Sequence, residues 1–227
     1  MVDFHTHILP NLDDGSKSVG ESLEMLRSER SQGIDTVVLT PHYYSGQNSP
    51  EEFLLRRQRS WEQLSGSLKE GMPRLLLGAE VQYFENMENL ESLPSLCIRG
   101  TKLLLLEMPF CHWEDRVIHT VLELNGSDGL QIVLAHIERY LSFPRNCQAL
   151  ELLRRSGILM QVNASFFDGW FRRRKALAML ERGDFHLIGS DCHNTSSRKP
   201  NWNLVPEEAV KTVDQFSKAL LGQSAIR

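Results

Sequence analysis

The chain has 227 residues, of which 41% are hydrophobic and 24% are charged, as in an ordinary globular protein. This length suffices for one large domain or at most two small ones, and because no linker or repeat is present we expect a single domain over 1–227. The formal net charge of −4 argues against a dedicated nucleic-acid-binding protein, and no apolar run is long enough for membrane insertion.

Short apolar runs that are typical of buried strands recur along the chain. In chain order they read MVDFH, DTVVLT, RLLLGAEV, KLLLLEM, QIVLAH, GILMQVN and FHLIGS. Amphipathic segments predict helices over 19–32, 51–69, 114–124, 147–155, 172–181 and 207–221. Gly33, Gly157 and Gly183 each follow such a segment, where a left-handed residue commonly ends a helix. Within the connection 82–100, only NMENLES has helical character.

The alternation of apolar strands with helices predicts an α/β fold whose parallel sheet is covered on both faces. Seven strands favour a closed or nearly closed β/α barrel, and an open doubly wound sheet is the alternative. No GxGxxG or GxxxxGKS/T loop follows a strand, which disfavours the nucleotide-binding version of the open sheet.

Histidines and carboxylates follow six of the seven predicted strands, at the ends where a β/α barrel gathers its functional groups. The remaining strand ends in Asn163. A solitary HxH pair or a single glutamate after a strand is commonly incidental, but the convergence of nine such groups favours a metal site. These candidate ligands are His5, His7, Asp14, His42, Glu80, Glu107, His136, Asp191 and His193.

Nine groups exceed the ligand set of one divalent ion, which takes about four to six, and therefore predict two or three ions. The mixture of imidazoles and carboxylates favours manganese, iron or zinc over calcium or magnesium. Without cations, clustered carboxylates would repel one another and raise their own pKa values.

The motifs DFHTHILPNLDDG, TPHY, GAE, LLEMP, AHIERY and SDCHN follow in order between positions 3 and 194. Together they resemble the PHP (polymerase and histidinol phosphatase) superfamily, and within it the bacterial tyrosine-protein phosphatases that accompany capsular and exopolysaccharide synthesis. The resemblance implies a distorted (β/α)7 barrel with the metal site at the C-terminal ends of the strands. It also implies a trinuclear centre held by the nine candidate ligands, with Glu80 as the bridging carboxylate.

The chain departs from the family pattern at two positions. Ile137 replaces the proline of AHPERY, and Cys192 stands between Asp191 and His193, where SDAHN is usual. Neither change removes a ligand, and we expect Cys192 to pack in the interior, as buried cysteines commonly do.

Two arginines follow candidate ligands closely enough to bind phosphate. Arg139 lies three residues after His136, and Arg198 lies five residues after His193. Both match the family's phosphate-binding arginines, and guanidinium groups suit two-pronged phosphate contacts, although a surface arginine is the alternative for each. We expect hydroxide bound to the metal ions to attack phosphorus directly, because no cysteine begins a glycine-rich CxxxxxR phosphatase loop.

A basic cluster, Arg172 to Lys175, follows the strand that ends in Asn163. The simpler interpretation is a solvated helix start, and the alternative is a rim that receives a phosphotyrosine peptide. Aromatic residues that could belong to such a rim are Tyr43, Tyr44, Phe110, Phe166, Phe167, Trp170 and Phe171.

The four cysteines form no CxxC pair and the N-terminus has no secretory pattern, so we expect reduced thiols and a cytoplasmic protein. The leading functional hypothesis is a Mn²⁺-dependent protein-tyrosine phosphatase that acts on a bacterial tyrosine kinase, with Fe, Zn, Co or Mg as alternative ions. A small-molecule phosphatase such as histidinol phosphatase is the main alternative. A PHP nuclease and a non-catalytic module are less favoured, and a homo-oligomer is compatible with the sequence.

Overall fold

A computed structural model describes residues 1–222. Nine short strands are present in these residues: β1 Val2–Thr6, β2 Thr36–Leu39, β3 His42–Tyr43, β4 Arg74–Leu77, β5 Glu80–Gln82, β6 Leu103–Glu107, β7 Gln131–Leu134, β8 Leu159–Asn163 and β9 Leu187–Gly189. Six α-helices connect or follow them: α1 Val19–Ser31, α2 Pro50–Ser65, α3 Asp115–Leu124, α4 Pro144–Arg155, α5 Trp170–Glu181 and α6 Glu207–Gly222.

The strands form a parallel sheet that curls on itself. Hydrogen bonds join them in the orders β1-β2-β4 and β3-β5-β6-β7-β8-β9. At the far ends, His7 N donates to Cys192 O (2.9 Å) and Asp191 N donates to His5 O (2.8 Å), so the first strand meets the chain that follows the last. This α/β fold is consistent with a distorted barrel and disfavours the open doubly wound alternative.

The predicted run DTVVLT is continued by β3, and the predicted strand RLLLGAEV is divided into β4 and β5. Pro41 separates β2 from β3 because proline has no N–H with which to continue the ladder. Glu80 N donates instead to Pro41 O (3.0 Å), and Gly78 N donates to Leu39 O (2.8 Å), which keeps the interrupted strands side by side.

The six predicted helices are present, with shifted ends. The helix predicted from position 147 begins at Pro144, since proline fits the first helical position. The one predicted to reach position 69 ends at Ser65, and α5 begins two residues early at Trp170. Gly33, Gly157 and Gly183 have φ of 88°, 85° and 68°, which confirms their left-handed conformation after helices.

The helical character predicted for NMENLES is confirmed only in part, because the segment contains a single 3-10 turn, Met87–Asn89. No helix in residues 1–222 combines the length and apolar character that crossing a membrane requires.

Two apolar clusters flank the sheet and fix the position of its polar edge. On β6, Leu103 and Leu105 pack in a smaller cluster with Phe4, whereas Leu104 and Leu106 belong to a larger cluster that includes helix residues. This alternation places Glu107 on the same face as Leu103 and Leu105. The smaller cluster therefore forms an apolar layer beneath the carboxyl edge, where the polar residues gather.

Candidate metal centre

The nine predicted ligands converge at the carboxyl edge of the curled sheet. His5 lies in β1, Glu107 ends β6, and His136 comes two residues after β7. Asp191 and His193 follow β9. The remaining four lie in short strands or the loop after β1: His7, Asp14, His42 and Glu80.

Glu80 occupies the middle of the cluster, and its side chain is 1% exposed. Its Oε2 atom is 3.2 Å from His5 Nε2 and 3.3 Å from His7 Nε2. The same oxygen is 2.9 Å from His42 Nδ1, and Oε1 is 2.9 Å from His136 Nε2. One buried carboxylate therefore lies within reach of four imidazoles, which is the position a bridging ligand requires.

Three overlapping groups of side chains bring their ligating atoms within 4.8 Å of one another; they are His7, Asp14, His42 and His193; His5, His7 and Glu80; and His42, Glu80 and Glu107. The two remaining predicted ligands border these groups. His136 Nε2 lies 3.4 Å from Glu107 Oε1, and Asp191 Oδ1 lies 3.6 Å from His7 Nε2.

The unpaired atoms of this cluster fit a set of metal ligands. Glu80 Oε2, His42 Nδ1 and His193 Nε2 are buried and have no hydrogen-bond partner. Glu80 Oε2 and His42 Nδ1 are close, but they are not aligned for a hydrogen bond. Buried polar atoms are normally paired, and atoms that point to common space instead fit ions bound between them. Imidazole and carboxylate donors suit divalent transition metals.

Hydrogen bonds hold the second nitrogen of several imidazoles. His7 Nδ1 lies 2.7 Å from Asp13 Oδ2, and His5 Nδ1 lies 3.3 Å from Gln161 Oε1. His193 Nδ1 lies 3.0 Å from the carbonyl oxygen of Asp191. Such contacts fix the tautomer and orientation of a ligating imidazole and leave its other nitrogen free for metal.

Without a bound ion, protonated histidines lie next to carboxylates in the cluster. Burial lowers the pKa of His7, but its hydrogen bond to Asp13 and the negative charges of Asp13 and Glu80 outweigh burial and raise this pKa to about 10. Burial also lowers the pKa of His136, yet hydrogen bonds to Glu107 and Glu80 raise it to about 9. Metal ligation must displace these protons, so metal binding is coupled to proton release.

Both predicted phosphate-binding arginines reach the cluster. Arg139 Nη2 lies 2.5 Å from Asp191 Oδ2, and Arg198 Nη2 lies 2.8 Å from Asp191 Oδ1. Arg198 Nη1 also lies 3.7 Å from Asp14 Oδ2. The two side chains are 39% and 40% exposed, so each guanidinium links the buried Asp191 carboxylate to the solvent-facing mouth.

The motif DDG closes the loop over His7. Ser16 N donates to His7 O (3.0 Å), and a Cβ atom at position 15 would lie 2.2 Å from that oxygen and 2.6 Å from His7 Cβ. Only glycine allows this approach, so Gly15 lets Asp13 fold back onto the imidazole.

Three residues of the site were not predicted as functional. Asp13 holds His7, but within DDG the sequence does not distinguish it from Asp14. Gln161 accepts from His136 N (2.7 Å) and contacts His5, although it lies inside an apolar strand run. Asn163 Nδ2 donates to Asp191 Oδ2 (2.9 Å), and its place at a strand end was the available signal.

The predicted aromatic rim is partly wrong. Tyr43, Phe166 and Phe167 are buried, because the segments after β3 and β8 turn into the core. Phe110, Trp170 and Phe171 are exposed, and Tyr44 stacks on His42 with ring centroids 5.0 Å apart. Cys192 is fully buried, as predicted.

A curled parallel sheet with imidazoles and carboxylates gathered at its carboxyl edge defines an α/β protein with a candidate metal centre. The sequence matches the family described as "Capsular polysaccharide synthesis, CpsB/CapC" over residues 1–220. The chain belongs to this family, which confirms the resemblance that its motifs indicate.

Relatives of known name match most of the chain. The tyrosine-protein phosphatase YwqE of Bacillus subtilis is 31% identical over 224 residues, with 95% of this chain and 84% of YwqE covered. The tyrosine-protein phosphatase CpsB of Streptococcus pneumoniae is 31% identical over 210 residues, with 88% and 86% covered.

A solved structure also matches this fold. It belongs to a set of crystal structures of YwqE from Bacillus subtilis and CpsB from Streptococcus pneumoniae, which are metal-dependent tyrosine phosphatases. The TM-score is 0.79 at 25% identity, and the match covers 97% of this chain and 94% of the other.

Proposed function

We propose that this chain hydrolyses phosphotyrosine in protein substrates, using divalent metal ions held by the nine converging ligands. The observation that carries the proposal is the buried Glu80 carboxylate within 2.9–3.3 Å of four imidazole nitrogens. Relatives named as tyrosine-protein phosphatases, at 31% identity, support phosphotyrosine as the substrate. The proposed partner is a bacterial tyrosine kinase whose phosphorylated tyrosines would be the substrate.

We further propose that the ions are Mn²⁺, two or three in number, within a single distorted (β/α)7 barrel of a cytoplasmic protein. The mixed nitrogen and oxygen donor set supports manganese, with iron, zinc, cobalt or magnesium as alternatives. The curled sheet supports the barrel if β2 with β3, and β4 with β5, are each counted as one interrupted strand.

Bound divalent ions would supply Lewis-acid polarisation of a phosphoryl oxygen and a water of lowered pKa that can act as nucleophile. The protein's own residues bind and orient the ester. Arg139 and Arg198 stand at the mouth, where their guanidinium groups would contact the phosphoryl oxygens that face away from the cluster. Asn163 and Gln161 keep the ligands Asp191 and His5 in place through hydrogen bonds.

The cysteines lie outside the metal cluster, and their settings do not favour a thiolate nucleophile. Cys97 is buried, which raises its pKa to about 11, and burial raises the pKa of Cys192 well above its ordinary value. Cys111 and Cys147 are exposed. A thiol whose pKa is raised by burial is mostly protonated at neutral pH and attacks phosphorus poorly.

The test compares turnover of a phosphotyrosine peptide and of histidinol phosphate by purified, manganese-loaded protein. We expect a much larger kcat/KM on the peptide. Phenolates, with a pKa near 10, leave more readily than aliphatic alkoxides, so a tyrosine ester makes less demand on a general acid. Preference for histidinol phosphate would replace this proposal with the small-molecule alternative.

A further inference from the structure

A cleft of about 510 Å³ opens beside the candidate phosphate-binding arginine. Arg139 and Asn163 line the end nearest the metal cluster, whereas Arg172 and Lys175 of α5 line the far side. Leu141 and Phe166 contribute apolar wall. The cleft is therefore continuous with the site where the phosphate would bind.

The charge of this cleft is predominantly positive. Three of its lining residues are cations, and the one carboxylate among them, Glu138, is within 3.3 Å of the Asn163 backbone N–H. Arg172 is paired with Asp168 at 2.8 Å, but Lys175 has no carboxylate within 4 Å in the described part of the chain. Lys175 is the cation most available to an incoming ligand.

Lys175 also borders a second cleft, in which the other charges are balanced. A neighbouring cleft of about 270 Å³ shares Lys175 and Leu141 with the first and continues to Arg154 and Arg182. The latter two are already paired with carboxylates, at 2.9 Å and 2.6 Å. Lys175 thus lies where the two clefts meet, and it is a cation without a carboxylate partner among the described residues.

Helix stability does not explain these cations. The first turn of α5 carries no acidic residue and instead begins WFRRRK. The amino end of a helix favours anions, so a basic first turn is electrostatically unfavourable for the helix itself. Its position beside the proposed phosphate-binding site favours a role in binding an anionic ligand over that of a solvated helix start.

We propose that this cleft, through Arg172 and Lys175, selects phosphotyrosine peptides that carry acidic side chains next to the phosphotyrosine. The inference rests on the proposed phosphotyrosine phosphatase function and adds a substrate preference to it. A peptide whose phosphate contacts Arg139 extends its neighbouring residues along the cleft. Carboxylates there would pair with the two exposed cations, while Leu141 would contact the apolar parts of the side chains.

The test uses phosphotyrosine hexapeptides with two glutamates or two lysines, on either the N-terminal or the C-terminal side of the phosphotyrosine. kcat/KM is measured for the metal-loaded full chain and for Lys175→Glu and Arg172→Glu. Lys69→Glu is the matched control, since Lys69 is exposed on the loop that leads into β4, at the opposite edge of the sheet. Free phosphotyrosine is assayed in parallel.

We expect the wild-type chain to prefer the glutamate peptide on one side by about two- to fivefold, the range of an exposed ion pair. The preference should shrink at high ionic strength. Lys175→Glu should abolish or invert the glutamate-to-lysine ratio, Arg172→Glu should reduce it, and Lys69→Glu should retain it. Because each ratio is taken within one variant, a general loss of activity does not mimic the effect.

Equal kcat/KM on glutamate and lysine peptides would overturn the inference and leave the phosphatase function intact. An unchanged ratio in Lys175→Glu, or an equal change in Lys69→Glu, would also overturn it, because the preference would then arise elsewhere. No turnover of any phosphotyrosine compound would instead refute the function on which the inference rests.

Discussion

Substitution of Asp13 by asparagine isolates the contribution of a residue that hydrogen-bonds to a candidate metal ligand and is not itself among the nine candidates. The carboxylate accepts three hydrogen bonds: Oδ2 from His7 Nδ1 (2.7 Å) and His42 N (2.9 Å), and Oδ1 from Gly15 N (2.9 Å). These contacts join the DDG loop to two candidate metal ligands, His7 and His42. Asparagine keeps the shape of the side chain and removes its charge.

The geometry sets the size of the expected effect. An asparagine oxygen in the Oδ2 position retains both histidine contacts, but its NH₂ group then faces the N–H of Gly15, leaving that donor unpaired. An unpaired buried donor costs about 1–3 kcal/mol. The neutral amide also orients the His7 imidazole less strongly, and loss of such a partner typically lowers metal affinity about 10- to 100-fold.

The assay is a titration of activity and of bound Mn²⁺ against free metal, with urea unfolding of the metal-free protein. Asp13→Asn should require about 10- to 100-fold more metal for half-maximal activity and recover most of its turnover at saturation. Asp128→Asn is the control, since Asp128 is exposed with φ of 49°, a conformation that asparagine tolerates. Unchanged metal affinity and unchanged unfolding in Asp13→Asn would refute this role.

Three further predictions concern phosphate binding, the nucleophile and the protons of the site. Arg139→Ala should lower kcat/KM on a phosphotyrosine peptide by about 30- to 1000-fold, and Arg139→Lys should restore it only in part. A near-normal kcat/KM would contradict the role of Arg139 in phosphate binding. So would a loss of activity that elemental analysis traces to missing metal. Cys111→Ser and Cys147→Ser should keep substantial activity, whereas a loss of orders of magnitude at unchanged metal content would indicate a thiol nucleophile. Calorimetry at pH 7 in buffers of different ionisation enthalpy should detect the release of about two protons on metal binding, because the pKa values of His7 and His136 are raised to about 10 and 9. For the same reason metal affinity should rise with pH. Binding without proton release would show that both imidazoles are already neutral.

The residues at strand ends were predictable because parallel strands bring their carboxyl ends to one edge. That rule alone indicated that His42, Glu107 and His136 would meet, although the first and the last lie 94 positions apart. The geometry brings them together with Glu80. Their role as metal ligands stays a prediction for the tests above.

The supporting residues were less predictable because their roles depend on loop closure and local register. Asp13 and Asp14 are adjacent and chemically alike, and only the fold of the loop turns one towards His7 and leaves the other 63% exposed. Gln161 lies in mid-strand, where a polar residue gives no sign of its partner. Likewise, the burial of Phe167 follows from a turn after β8 that propensity does not indicate.

The most direct test of the central claim is phosphate release from a phosphotyrosine peptide, measured against the metal bound per chain. Protein stripped by a chelator should be inactive. Activity should return as Mn²⁺ is added back and should reach its maximum at two or three ions per chain, the number that the nine converging ligands predict. Full turnover by metal-free protein would contradict the account, as would maximal activity with no divalent ion in the cluster.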